Sequence, residues 1–132
     1  MKTSFRRAWS RGFSLVEVLV AVALIGVLVF LALPNIVQIK SDSETHLAIA
    51  RAEALNMGMA SLIQSRGTTA AGTVWGTAAN DEARYALLTP YLSFAPPTLD
   101  EYTPGGYALA LPTTINPLTK ATLSKGGTQI GY

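Results

Sequence analysis

The sequence predicts an α+β protein. A long bent N-terminal helix, transmembrane in its first half, packs against a small head of one short helix and about three antiparallel strands. Three observations carry this expectation. Residues 18–33 contain no polar side chain, a second helical pattern follows as far as Arg66, and the C-terminal stretch alternates in short runs punctuated by Gly and Pro. At 132 residues the chain holds at most one small domain plus an appendage.

The apolar segment comes first. Phe13–Leu33 is 21 residues, which at about 1.5 Å per helical residue spans roughly 30 Å, one bilayer core. Four cations, Lys2, Arg6, Arg7 and Arg11, precede it with no acid among them. Cations before a span stay on the cytoplasmic side, which puts the C-terminal part outside. A carboxylate, Glu17, stands near the start of the apolar run, where a charge is expensive and therefore functional by default.

Arg11-Gly12-Phe13-Ser14-Leu15-Val16-Glu17-Val18-Leu19-Val20-Ala21 resembles the N-terminal signature of type IV pilins and type II secretion pseudopilins. The resemblance covers about the first quarter of the chain; the remainder is similar in layout only. It implies that a prepilin peptidase cuts between Gly12 and Phe13 and methylates the new amine of Phe13. Three segments follow: a cleaved leader 1–12, a transmembrane and assembly helix 13–34, and an extracytoplasmic head 35–132. It also implies that Glu17 pairs with the Phe13 amine of a neighbouring subunit during filament assembly. Two charges in low dielectric are costly unless they meet, so such a pair would set the axial stagger. The alternative for Glu17 is a carboxylate lying near the headgroups, favoured by the helix N-terminal dipole.

Other targeting readings fit less well. A standard secretory signal has its apolar region before the cut, whereas here it follows Gly12. Ala21-Val22-Ala23 has a small-x-small pattern but lies inside the apolar run, and Arg6-Arg7 lacks twin-arginine flanks. An uncleaved signal anchor is the remaining alternative. Within the helix, Pro34 removes a backbone donor and predicts a bend near 30–34, and Gly26 serves either close helix packing or local unwinding.

Beyond Pro34, Ala48, Ala52, Leu55, Met59 and Leu62 recur at steps of three and four, which puts them on one helix face. Residues 41–46 read as a solvent-facing polar belt, Met57 and Met59 as core filler, and Gly67 as a helix stop. Residues 67–80 are small and polar and read as a loop with Val74 and Trp75 tucked back. Asn80 or Asp81 can cap a short helix through about Leu88, with Tyr85, Leu88 and Leu92 inward and Pro90 ending or bending it. Residues 94–106 read as irregular. Tyr107–Leu111 is strand-like, and 121–124 with 128–132 form a hairpin about Gly126-Gly127.

Composition excludes several classes. The leader holds four of the ten Lys and Arg and none of the eight acids, so its removal leaves six cations against eight acids, a net −2. The basic balance belongs to the leader and the other cations are scattered, so nucleic-acid binding is not the main role. There is no cysteine, which rules out thiolate metal sites and a disulfide staple. His46 is the sole histidine, on a polar helix face, and no acid follows Glu101, so no catalytic centre, cofactor, metal or structural calcium is expected. Tyr102, Tyr107 and Tyr132 serve either to pin a small core or to make an outer patch.

The expected protein is a structural filament subunit rather than an enzyme. Its implied partners are other pilin-like subunits, the prepilin peptidase, an inner-membrane platform with its ATPase, and membrane lipid before assembly. Within that resemblance, the lack of cysteine, the small head and the plain hairpin end lean toward a type II secretion pseudopilin, inserted in the inner membrane with a periplasmic head. A type IV pilus subunit for adhesion, motility or DNA uptake is the alternative, and a monomeric membrane-anchored binding module is the reading from another class.

Overall fold

The computed structural model describes residues 12–132. Lys2, Arg6, Arg7 and Arg11, to which the sequence assigns the leader and the topology, lie outside the described residues. Helix α1 covers Leu15–Arg66, followed by α2 (Thr68–Thr77), α3 (Asp81–Leu88), a 3-10 turn at Thr89–Tyr91, and α4 (Leu99–Tyr102). Strands β1 (Tyr107–Ala110), β2 (Thr122–Lys125) and β3 (Thr128–Ile130) complete the chain. The chain divides into two compact units, Met1–Lys40 and Ser41–Tyr132.

In the first unit α1 is predominantly apolar, and among the described residues of that unit nothing covers it. Each large apolar side chain from Phe13 to Ile39 is at least half exposed. This stretch of α1 is long and apolar enough to cross a membrane.

The second unit is the α+β head. Its core is built on the face of α1 that the three-and-four spacing predicts: Ala48, Ala52, Leu55, Met59 and Leu62 are all buried. Trp75, Tyr85, Leu88, Ile115 and Leu123 are the other large side chains that are fully buried. The sheet has the order β1-β2-β3 and is antiparallel throughout, with Leu109 opposite Leu123 and Leu123 opposite Ile130. Alternation puts Tyr107, Leu109 and Leu123 on the buried face. A two-residue loop, Gly126-Gly127, joins β2 to β3 with φ of +57° and +83°. Both positions need the left-handed region, which glycine occupies freely and which matches the twist of a tight hairpin.

Several local expectations hold. Gly67 ends α1 at φ +80°. Asn80 caps α3 by accepting the Ala83 amide at 2.8 Å, and Tyr85 and Leu88 point inward while Leu92 is half-buried against the core. Others are overturned. Residues 68–77 form a helix rather than a loop, because Ala71 and Trp75, one turn apart, both find the core. The indole of Trp75 donates to the Pro112 carbonyl at 2.8 Å, which anchors α2 to the turn after β1. Small residues hide such a helix from composition, since burial of a single Trp supplies the stabilisation that propensity lacks. Within the stretch read as irregular, residues 99–102 form α4, capped by Thr98. Met57 is 71% exposed and is not core filler; only Met59 is. The polar belt is not wholly solvated either, for Glu44 and Thr45 are half-buried.

Candidate functional site

The start of α1 concentrates the residues singled out from the sequence. Gly12, Phe13 and Ser14 precede the helix, and Phe13 is 89% exposed. Ser14 and Glu17 form a reciprocal pair: the Ser14 amide donates to the Glu17 carboxylate at 3.2 Å, and the Glu17 amide donates to the Ser14 hydroxyl at 3.1 Å. This is a capping box, which satisfies two of the donors that every helix N-terminus leaves unpaired. The carboxylate also sits in the first turn, where the helix dipole favours it. Glu17 therefore has a local structural task within one chain. The Ser-x-x-Glu spacing before an apolar run is the sequence signal of such a box.

Gly26 lies inside α1 with nothing within 4 Å of where a Cβ would stand, so the described residues give it no packing partner. Pro34 also lies inside α1, which is continuous through it. His46 is exposed, and no group of three or more His, Cys, Asp or Glu side chains is arranged to hold a metal ion among the described residues.

In the head, polar side chains tie α1 to the sheet at two levels. At the upper level the Tyr107 hydroxyl shares a 2.8 Å hydrogen bond with Thr45 and accepts from the Lys125 ammonium at 3.1 Å. The Thr45 bond and the Lys125 cation together hold the Tyr107 phenol below the usual tyrosine range. At the lower level Asn56 accepts the Ala121 amide at 2.8 Å and donates to Glu53 and to the Tyr132 hydroxyl. Lys120 donates to Glu53 and to the Tyr132 carbonyl, each at 3.2 Å, and the Tyr132 hydroxyl donates to the Ala121 carbonyl. The Asn56 amide and then Lys120 hold the Glu53 carboxyl below its ordinary value.

Two further tyrosines are core posts. Tyr85 donates to the Pro96 carbonyl at 2.8 Å and Tyr102 to the Arg51 carbonyl at 3.0 Å, with ring centroids 5.4 Å apart. Burial pushes both phenols up, and at Tyr102 the nearby Arg51 opposes the rise. Tyr102, Tyr107 and Tyr132 thus pin the head together. Asn56 and Thr45 were not legible as latches. A lone Asn or Thr on a helix face carries no pattern, and their partners lie 65 and 62 residues away.

Residues 10–33 match the family model described as the prokaryotic N-terminal methylation motif. The chain thus carries the type IV pilin and pseudopilin signature over under a fifth of its length. No curated protein and no solved structure matches the chain significantly.

Proposed function

We propose that this protein is a structural subunit of a type IV-pilin-like filament, cut by a prepilin peptidase between Gly12 and Phe13 and N-methylated at Phe13. The observation that carries this reading is the coincidence of the methylation motif at residues 10–33 with an exposed apolar segment that starts at Phe13 and is helical from Leu15. Such a surface is stable in lipid before assembly and against other copies after it. A polymer of these helices would bury what one chain leaves exposed, at about 25 cal/mol per Å² of apolar area. Glu17 then has two tasks in turn: it caps its own helix, and it pairs with the Phe13 amine of a neighbour, which fixes the stagger. Pro34 and Gly26 are the bend and the yielding point of that helix.

The machine we favour is a type II secretion pseudopilus, with the head periplasmic. Support comes from the small three-stranded head and from the lack of a cysteine to close a C-terminal loop. An inner-membrane platform and its ATPase would then drive assembly.

Peptide mapping by mass spectrometry of sheared surface filaments against the residual envelope tests the reading. A methylated peptide beginning at Phe13, confined to the envelope, is the expected result. The same peptide in the sheared fraction would make the protein a surface pilus subunit instead. An intact leader in both fractions would mean an uncleaved anchor and would refute the filament reading.

A further inference from the structure

The hydrogen bonds at the head of α1 decide how the Gly12–Phe13 peptide is presented. Phe13 belongs to the apolar run, and its side chain would not stop a helix from winding back through it. The helix stops short of it all the same. α1 begins at Leu15, and its first bond runs from the Val18 amide to the Ser14 carbonyl at 3.2 Å. The preceding amide, that of Glu17, donates to the Ser14 hydroxyl at 3.1 Å and so is not given to the Phe13 carbonyl. The Ser14 amide in turn donates to the Glu17 carboxylate at 3.2 Å. Side chains thus hold the two amides that a helix running back through Phe13 and Gly12 would engage itself. Among the described residues no hydrogen bond reaches the carbonyl of Gly12 or of Phe13. Gly12 adds a second, independent observation. Its φ lies outside the left-handed region, and nothing stands within 4 Å of where a Cβ would be. Neither a turn nor packing among the described residues asks for glycine here. Glycine is the residue that lets another molecule come close to the backbone.

We propose that Ser14 is a positioning residue for the processing cut. By capping α1 it keeps Gly12 and Phe13 out of the helix and offers their peptide bond, exposed and non-helical, to the prepilin peptidase. The inference rests on the processing reading above and names the residue that makes the bond accessible. Hydrolysis adds one water across the Gly12–Phe13 amide and leaves a carboxylate on Gly12 and an amine on Phe13. The carbonyl carbon must therefore be open to attack, and its oxygen free to meet donors of the enzyme as negative charge develops on it. Inside a helix that oxygen would be taken by the Val16 amide, and the turn would shield the carbon. An apolar surrounding presses toward that helix, because every backbone amide there needs an internal partner. The Ser14–Glu17 box removes the pressure by giving two of those amides side-chain partners. Ser14 does not touch the reacting atoms; it acts through the conformation of the two residues before it.

The test is the initial rate of cleavage of the full chain in membranes that hold a limiting amount of prepilin peptidase, with the peptide beginning at Phe13 counted by mass spectrometry. Ser14→Asn and Ser14→Gly cap a helix without a hydroxyl and should be cut at close to the wild-type rate. Ser14→Ala and Ser14→Leu cap poorly and should be cut about two- to fivefold more slowly. Backbone NMR chemical shifts of residues 12–14 in detergent micelles read the cause. They should be non-helical in the wild type and in Ser14→Asn, and move toward helical values in Ser14→Ala. Slow cutting of the Asn and Gly variants together with Ala, with Ser14→Thr alone spared, overturns the cap in favour of a hydroxyl that the peptidase reads directly. Equal rates in every variant overturn it, and so does a slowed Ala variant whose residues 12–14 stay non-helical. Each of these results leaves processing itself intact. A wild-type chain that stays uncut refutes the inference and the processing reading together.

Discussion

The capping box at Ser14 and Glu17 allows the two tasks assigned to the carboxylate to be separated. Ser14→Ala removes the hydroxyl acceptor of the Glu17 amide and leaves the charge. Glu17→Gln keeps an oxygen that can accept the Ser14 amide, because glutamine serves at this position of the box, but abolishes the charge. Glu17→Ala removes both. Each box hydrogen bond is exposed and slightly long, at 3.2 and 3.1 Å, so its loss belongs at the low end of the range for helix caps, about 0.5–1 kcal/mol. That corresponds to a change of roughly two- to fivefold. Stranding a cation in an apolar interface costs about 3–5 kcal/mol, or more than a hundredfold in each subunit contact. Polymer yield should therefore fall only slightly for Ser14→Ala, and severely and alike for Glu17→Gln and Glu17→Ala. The assay is quantitative mass spectrometry of sedimented polymer, normalised to the processed Phe13 peptide so that cleavage defects are counted separately. Equal losses in Ser14→Ala and Glu17→Gln would refute the pairing and leave Glu17 as a cap. Full yield in Glu17→Gln would do the same.

Other consequences concern the head, and thermal melting of the detergent-solubilised chain reads them. Asn56→Leu strands the Ala121 amide and should destabilise by about 1–3 kcal/mol, whereas Asn56→Asp keeps the acceptor and should cost less. Trp75→Phe retains most of the buried area but orphans the Pro112 carbonyl, and should cost about 1–3 kcal/mol; an unchanged melting temperature would mean that α2 is not anchored there. Gly126→Ala forces a side chain into the left-handed region at φ +57° and should cost about 1–2 kcal/mol. The Glu53 carboxyl is lowered by its Asn56 and Lys120 partners, so its contribution to stability is present above the ordinary value of 4.5 and lost as pH falls through its lowered folded value. Glu53→Gln should therefore flatten the acid side of the stability profile, and an unchanged slope below that pH would count against the seam. Tyr85 and Tyr102 have raised values, so their contribution is full below the ordinary tyrosine value of 10.0 and lost as pH rises through the folded ones. Tyr102→Phe should soften the alkaline side.

What the sequence by itself determined is everything governed by local periodicity and covalent preference. An uninterrupted apolar run makes a helix that needs an apolar surrounding, whatever else the chain does. Three-and-four spacing sufficed to locate the core face of α1, because a helix has only one way to turn those positions to the same side. Paired glycines sufficed for the β2–β3 hairpin, because few other residues tolerate two consecutive left-handed positions. The tertiary structure decided what depends on distant partners. Residues 68–77 are mostly Thr and Gly around two alanines, yet they are helical because Trp75 finds the core and the Pro112 carbonyl. Met57 and Met59 are the same residue type two positions apart, and only the packing of the head around α1 buried one and left the other in solvent. Asn56 and Thr45 became latches because Ala121, just before β2, and Tyr107 in β1, 65 and 62 residues later, put an amide and a phenol beside them. Those contacts form only after long loops close, and no local pattern in a chain encodes which polar side chain will be waiting at the other end.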